Sequence, residues 1–121
     1  MMVVDSIKEN NQIAKEYKEL LKISYQSLSK DDRKLIRLAF NTSVDAHKYQ
    51  RRKSGEPYVF HPISVAKIVA SKIGLDATCI AAALLHDVIE DTDYDVKKIT
   101  KIFGKTICKI VVGLTKISKL S

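Results

Sequence analysis

Turn-formers are scarce in this chain. Its 121 residues hold four Gly and two Pro, which leaves little room for linkers or long turn-rich regions. Cysteine is scarce too. Cys79 and Cys108 stand alone in apolar helical contexts, so a C-x-x-C metal or redox motif is excluded and two buried thiols in a reducing cytosol are expected. Residues 1–10 lack a basic stretch followed by an apolar run, so no signal peptide is expected. No apolar run approaches membrane-spanning length. Internal repeats and low-complexity segments are absent. After Asp95 there is no acid at all, only seven lysines.

The length fits one domain at most, and such a domain buries roughly two thirds of the surface its unfolded chain exposes. An apolar share of 45% is ordinary for a globular protein. The net charge of +7 is unevenly spread. Lys48, Arg51, Arg52 and Lys53 form a basic cluster, whereas Asp87, Glu90, Asp91, Asp93 and Asp95 form an acidic one. The C-terminal lysines are scattered and carry no interleaved aromatics for base stacking. They read as a solvated face, and a nucleic-acid-binding domain ranks last among the alternatives.

Apolar periodicity predicts helices throughout. The first covers residues 6–28, with Ile7, Ile13, Tyr17, Leu20 and Leu21 on one face. Ser29, followed by Asp31 and Asp32, marks the next start. That second helix is predicted over about 30–51, ending in the basic cluster. Residues 54–61 form a loop around Gly55 and Pro57. Pro62 suits a first helical position, which would put His61 at the N-cap. A third helix over about 62–73 would turn Ile63, Val65, Ala66, Ile68, Val69 and Ile73 inward, and Gly74 stops it. Asp76 caps a fourth from Ala77 to about Ile89, apolar nearly all round and therefore central. Asp95 caps a fifth helix, Gly104 breaks it, and a sixth starts at Lys105. The β-branched content there would also suit a strand, but the spacing favours helix.

The chemistry concentrates in Leu84 to Thr92. His86 and Asp87 offer a divalent ion one nitrogen and one oxygen. On a helix, Glu90 and Asp91 would share their face and remain for acid–base work. A lone His such as His61 is often structural, but a second His-containing site within reach favours the ligand reading. The basic cluster suits a helix C-terminus and solubility, or, as the sharper reading, phosphate binding, which Arg can do bidentately.

Three segments taken together are more specific. They are Ala46-His47-Lys48-Tyr49-Gln50-Arg51-Arg52-Lys53-Ser54-Gly55-Glu56-Pro57-Tyr58 leading into His61-Pro62, then Ala81 to Thr92, then Phe103-Gly104 with Val112-Gly113-Leu114-Thr115-Lys116. This series resembles the N-terminal hydrolase domain of the RelA/SpoT family of bifunctional alarmone synthetase/hydrolases. The resemblance implies an all-α, HD-superfamily bundle of about six helices. Residues 1–29 would be an N-terminal helix and 30–121 the first part of the hydrolase domain, truncated at the C-terminus. It implies hydrolysis of (p)ppGpp at its 3′-pyrophosphate, giving GDP or GTP, with Mn²⁺. His61, His86 and Asp87 match the family's metal ligands, Glu90 and Asp91 its acidic pair on the attacking water, and Arg52, Lys53 and Ser54 its nucleotide-holding loop. Two imidazoles with a carboxylate suit Mn²⁺, Fe²⁺ or Zn²⁺ alike.

The resemblance also implies a cytoplasmic parent with adjacent synthetase and regulatory domains and the ribosome as a partner of the whole. The family's further Asp ligand lies downstream, and no acid follows Asp95 here. This chain is therefore expected to bind metal weakly and turn over little, and its uncovered helices are expected to favour self-association. Alternatives are another HD-superfamily nucleotide phosphohydrolase, which has no use for the Arg52–Pro57 loop, and a non-catalytic helical regulatory module.

Overall fold

The computed structural model describes residues 3–25 and 27–120. Met1, Met2, Gln26 and Ser121, which fall within the segments expected above, lie outside the described residues. All regular structure among the described residues is helical: α1 Val3–Ile23, α2 Lys30–Ala46, α3 Phe60–Ala70, α4 Ala77–Leu85, α5 Val88–Asp91, α6 Val96–Phe103 and α7 Lys105–Leu120. No helix among them is long and apolar enough to cross a membrane.

Helix α4 is the axis of the bundle. Ile80 to Leu85 are all within 1% of complete burial, and each buried Leu or Ile stabilises by about 1.5–3 kcal/mol over leaving it exposed. Three of those six residues are alanines. Their methyl groups, with Ala66 and Ala70 of α3, let the neighbouring helices lie close against α4. α2 contributes Ile36, Ala39, Phe40 and Ser43. α7 contributes Ile107, Cys108, Val111 and Thr115. α1 packs through Tyr17 and Leu20, with the Tyr17 ring 4.7 Å from that of Phe40. The link after α1 is tied to the end of α3 by Tyr25 N–H donating to Ala70 O at 2.8 Å.

The caps lie where local chemistry places them. Ser29 and Asp32 form a reciprocal capping box. Asp76 accepts from Cys79 N–H and Asp95 from Lys98 N–H. Gly104 has φ 90°, a conformation that strains any side-chain-bearing residue.

Several boundaries differ from expectation. α2 stops at Ala46, and the basic cluster lies in the following loop, not on a helix end. Tertiary pairing takes the backbone away: Tyr58 N–H donates to Gln50 O at 2.9 Å, Arg51 and Pro57 form an isolated antiparallel bridge, and Arg52 N–H donates to Glu56 O. The helix expected from Ala77 to Ile89 is broken at His86-Asp87 into α4 and α5. Ile68 is 60% exposed and Ile73 75%. The inward stripe of α3 is Ile63, Ala66 and Ala70, and Ile68 lies about 200° round the helix from Ala66. Leu38, expected on the apolar face of α2, is exposed as well. Cys79 is half-buried, whereas Cys108 is buried; both thiols are free.

Candidate metal centre

Two helix ends build the site. His61 is the second residue of α3, which starts at Phe60 with Val59 in the capping position. Pro62 therefore sits third, not first. The amides of a first helical turn have no partner within the helix, so Pro62 costs no hydrogen bond there. Opposite, His86 closes α4. Its amide reaches back only to Ala83 O at 3.4 Å, and Asp87 leaves helical ψ at −5° before α5 begins. α3 and α4 run in opposite senses, so the start of one meets the end of the other. The rings of His61 and His86 are 5.6 Å apart.

One carboxylate oxygen is the hub. Asp87 Oδ2 lies 3.2 Å from His86 Nε2 and 3.6 Å from His61 Nε2, and it accepts from the Tyr58 hydroxyl at 2.7 Å. Ligand atoms of His61, His86 and Asp87 all lie within 4.8 Å of one another. First-row divalent ions hold nitrogen and oxygen at about 2.0–2.2 Å, so atoms bound to one ion stand roughly 3–3.5 Å apart. The two distances from Asp87 Oδ2 match that spacing, and a small closing of the two imidazoles would bring all three residues onto one ion. His86 is oriented for it: Nδ1 lies 2.7 Å from Ala83 O, and donation there fixes the ring with Nε2 turned toward Asp87, where an ion would replace the Nε2 proton. The backbone of the junction is held from α7, where Thr115 Oγ1 lies 2.7 Å from His86 O and 2.8 Å from Val111 O.

The charges are strongly coupled. Burial would raise the Asp87 carboxyl, but hydrogen bonds from His86 and Tyr58 outweigh it and hold the group below the usual carboxylate range. Burial would lower His86, yet Asp87 and the Ala83 carbonyl raise it overall. His61 is lowered, chiefly by burial against the pull of Asp87. Asp91 is raised by burial and by the nearby Asp87 charge.

A cleft of about 640 Å³ opens beside His61, lined by Gln12, Glu16, Arg52, Ser54, Glu56, Phe60 and Ser64. Arg52 and Ser54 thus share a cavity with His61. Lys53 is exposed and does not line it. Glu90 and Asp91 lie on α5 with exposed side chains, and the Asp91 amide donates to Asp87 O at 3.1 Å.

Sequence reasoning placed three neighbours outside the site. Tyr58 contacts the hub oxygen directly. His47 is 1% exposed and its ring lies 4.9 Å from Tyr58. Its Nδ1 meets Gln50 Oε1, and its Nε2 has no hydrogen-bond partner within the protein. Burial lowers its pKa, against the charges of Asp87 and Asp91. The third neighbour is α1, which walls the cleft through Gln12 and Glu16. His47 and Tyr58 both lie inside the quoted motif, which was their only signal.

The chain is similar to several known proteins. The chain is 47% identical over 87 residues to a probable guanosine-3′,5′-bis(diphosphate) 3′-pyrophosphohydrolase of Synechocystis sp., covering 72% of this chain and 11% of that protein. It is 45% identical over 93 residues to the bifunctional (p)ppGpp synthase/hydrolase SpoT of Escherichia coli K12, covering 77% and 13%. It is 38% identical over 120 residues to a guanosine-3′,5′-bis(diphosphate) 3′-pyrophosphohydrolase of Vibrio cholerae, covering 99% and 15%. The chain thus spans about one seventh or less of the length of these relatives. Residues 39–121 match the model of the HD domain. That match takes in both histidines, the Asp between α4 and α5, and the Thr that holds their junction, and by it this chain belongs to the HD domain family.

Proposed function

We propose that the chain carries the hydrolase site of a (p)ppGpp 3′-pyrophosphohydrolase. The observation that carries the reading is the His61–His86–Asp87 cluster opening beside a cleft lined by Arg52 and Ser54. The names of the relatives support the substrate. His61, His86 and Asp87 would hold Mn²⁺, which when bound supplies Lewis acidity toward a phosphoryl oxygen and a more acidic water.

The chain's own groups divide the remaining work. Arg52 pairs with phosphate oxygens, Ser54 donates to them, and Lys53 adds positive charge at the rim. Glu90 and Asp91 orient the attacking water and take its proton. Attack at the phosphorus on O3′ breaks the P–O3′ bond, O3′ regains a proton, and pyrophosphate leaves with the oxygen of the water. GDP or GTP remains. In its parent, the domain works in the cytoplasm beside synthetase and regulatory domains, with the ribosome as a partner of the whole.

The test is a substrate panel of ppGpp, GDP and GMP with Mn²⁺, run on this chain and on a protein extended beyond it. Pyrophosphate release from ppGpp alone is expected, greater in the longer protein. Release of phosphate from GMP with ppGpp untouched would replace this reading with a monophosphate phosphohydrolase.

A further inference from the structure

The basic loop contains two adjacent arginines that face opposite ways. Arg52 lines the cleft. Arg51 points back to α1, where its guanidinium makes two bonds of 2.8 Å to the carboxylate of Glu9. The same guanidinium donates to Gly55 O at 2.7 Å. This alternation follows from the Arg51–Pro57 bridge, since successive residues of an extended strand project to opposite sides. The turn between is closed by Gly55 N–H donating to Arg52 O, and Gly55 holds φ 101°. Arg51 therefore ties the tip of the turn to a helix 42 residues earlier in the chain.

Glu9 is one of three polar residues along a single face of α1. Glu9, Gln12 and Glu16 are spaced i, i+3 and i+7. Gln12 and Glu16 line the cleft opposite Arg52 and Ser54. Lower on α1, Lys67 of α3 pairs with Glu16 and, at 2.9 Å, with Glu19. Helix α1 is thus pinned at one end to the loop and at the other to α3, the helix that carries His61.

We infer that α1 is a working wall of the substrate cleft and that Glu9 is a positioning residue, holding Arg52 and Ser54 in place through the Glu9–Arg51 fork. The inference rests on the proposed hydrolase reading and deepens it, because neither residue touches the substrate. A planar two-bond fork fixes direction as well as distance, which a single lysine contact does not. Without it the loop keeps its turn but loses its anchor, and ordering Arg52 on the substrate then costs more entropy.

The experiment measures binding of guanosine 3′,5′-bis(diphosphate) by calorimetry, with Mn²⁺ present, on the whole chain. Glu9→Gln is expected to weaken Kd by about three- to fivefold, the range of a well-formed exposed ion pair. The Mn²⁺-dependent rise in Tm should be unchanged, since the metal ligands lie on α3 and at the end of α4; a purely structural role would not separate the two readouts. Arg51→Gln should weaken binding at least as much, and the double variant no further than Arg51→Gln alone. Lys18→Gln, which removes an exposed charge on the same helix away from the cleft, should leave Kd unchanged. Wild-type Kd in Glu9→Gln, or additive losses in the double variant, would overturn the inference and leave the functional reading standing. Wild-type protein that binds Mn²⁺ but not the nucleotide would overturn the functional reading, and the inference with it.

Discussion

The Tyr58 hydroxyl donates to Asp87 Oδ2 at 2.7 Å, and this is the oxygen that lies 3.2 Å from His86 Nε2. A residue of the basic loop therefore orients a carboxylate 29 positions later, on the other side of the cleft. Burial and the Asp87 bond together push the Tyr58 phenol well above its ordinary range, so it remains a donor at any working pH. Tyr58→Phe keeps the ring and removes the bond. Partners of this kind are worth about 10–100-fold in metal affinity. A loss near the lower end is expected, read by titrating Mn²⁺ against thermal stability; unchanged affinity would show that the carboxylate needs no such anchor.

Mn²⁺ is expected to raise the Tm of the wild-type chain and not that of His86→Ala or Asp87→Asn. A ligand confined to the native state stabilises by about 2.7 kcal/mol at a hundredfold excess over its Kd. Among the described residues the cluster offers three protein ligands, so millimolar metal is the concentration range to search. Equal shifts in all three proteins would place the ion elsewhere.

Thr115 should matter more than a threonine near the end of a surface-packed helix normally does. Its side chain is buried, and its hydroxyl proton is shared between His86 O and Val111 O. Thr115→Val leaves the His86 carbonyl without this donor, at a cost of about 1–3 kcal/mol. Urea unfolding measures it, and Thr115→Ser is expected to recover most of the loss.

His47 predicts an acid-sensitive fold. Burial holds its folded pKa below the ordinary 6.5. The unfolded chain then takes up the proton first, so stability falls as pH drops below about 6.5 toward the folded value. His61 acts in the same sense and His86 in the opposite one. His47→Leu removes one such term, and the Tm difference between about pH 7.5 and 5.5 should narrow in that variant. An unaltered difference would assign the acid sensitivity to other groups.

Helix existence was legible because its signals are local. The Ser29, Asp76 and Asp95 caps and the Gly104 break can each be found within a few residues of sequence, and each stands where it was expected. The end of α2 was not legible. Ala46, His47 and Lys48 are acceptable helix residues, and Arg51 to Lys53 resemble the cations that favour a helix C-terminus. The stop comes from pairing between Gln50 and Tyr58, whose partners are separated by a loop. The break at His86 was hidden for a similar reason. Leu84, Leu85 and Val88 continue an apolar pattern across it, whereas the donor that occupies the freed carbonyl, Thr115, lies 29 residues away. The residues that meet as the His61–His86–Asp87 cluster were legible as types, since a His-Asp pair and a His-Pro pair stand out in any chain. The parts that orient it, Tyr58 and His47, announce themselves only once the helices are packed.

The alanines of α3 and α4 act as a spacing gauge. His61 and His86 approach each other only as closely as the fully buried Ala66 and Ala70 allow α3 to close on α4. Protein interiors have little slack. A valine in place of one of these methyl groups would act as a shim, prising the two helix ends apart. The separation of the two imidazoles is therefore set by side chains that carry no ligating atom, and an engineer seeking to alter it has a dial there as well as at His61 and His86 themselves.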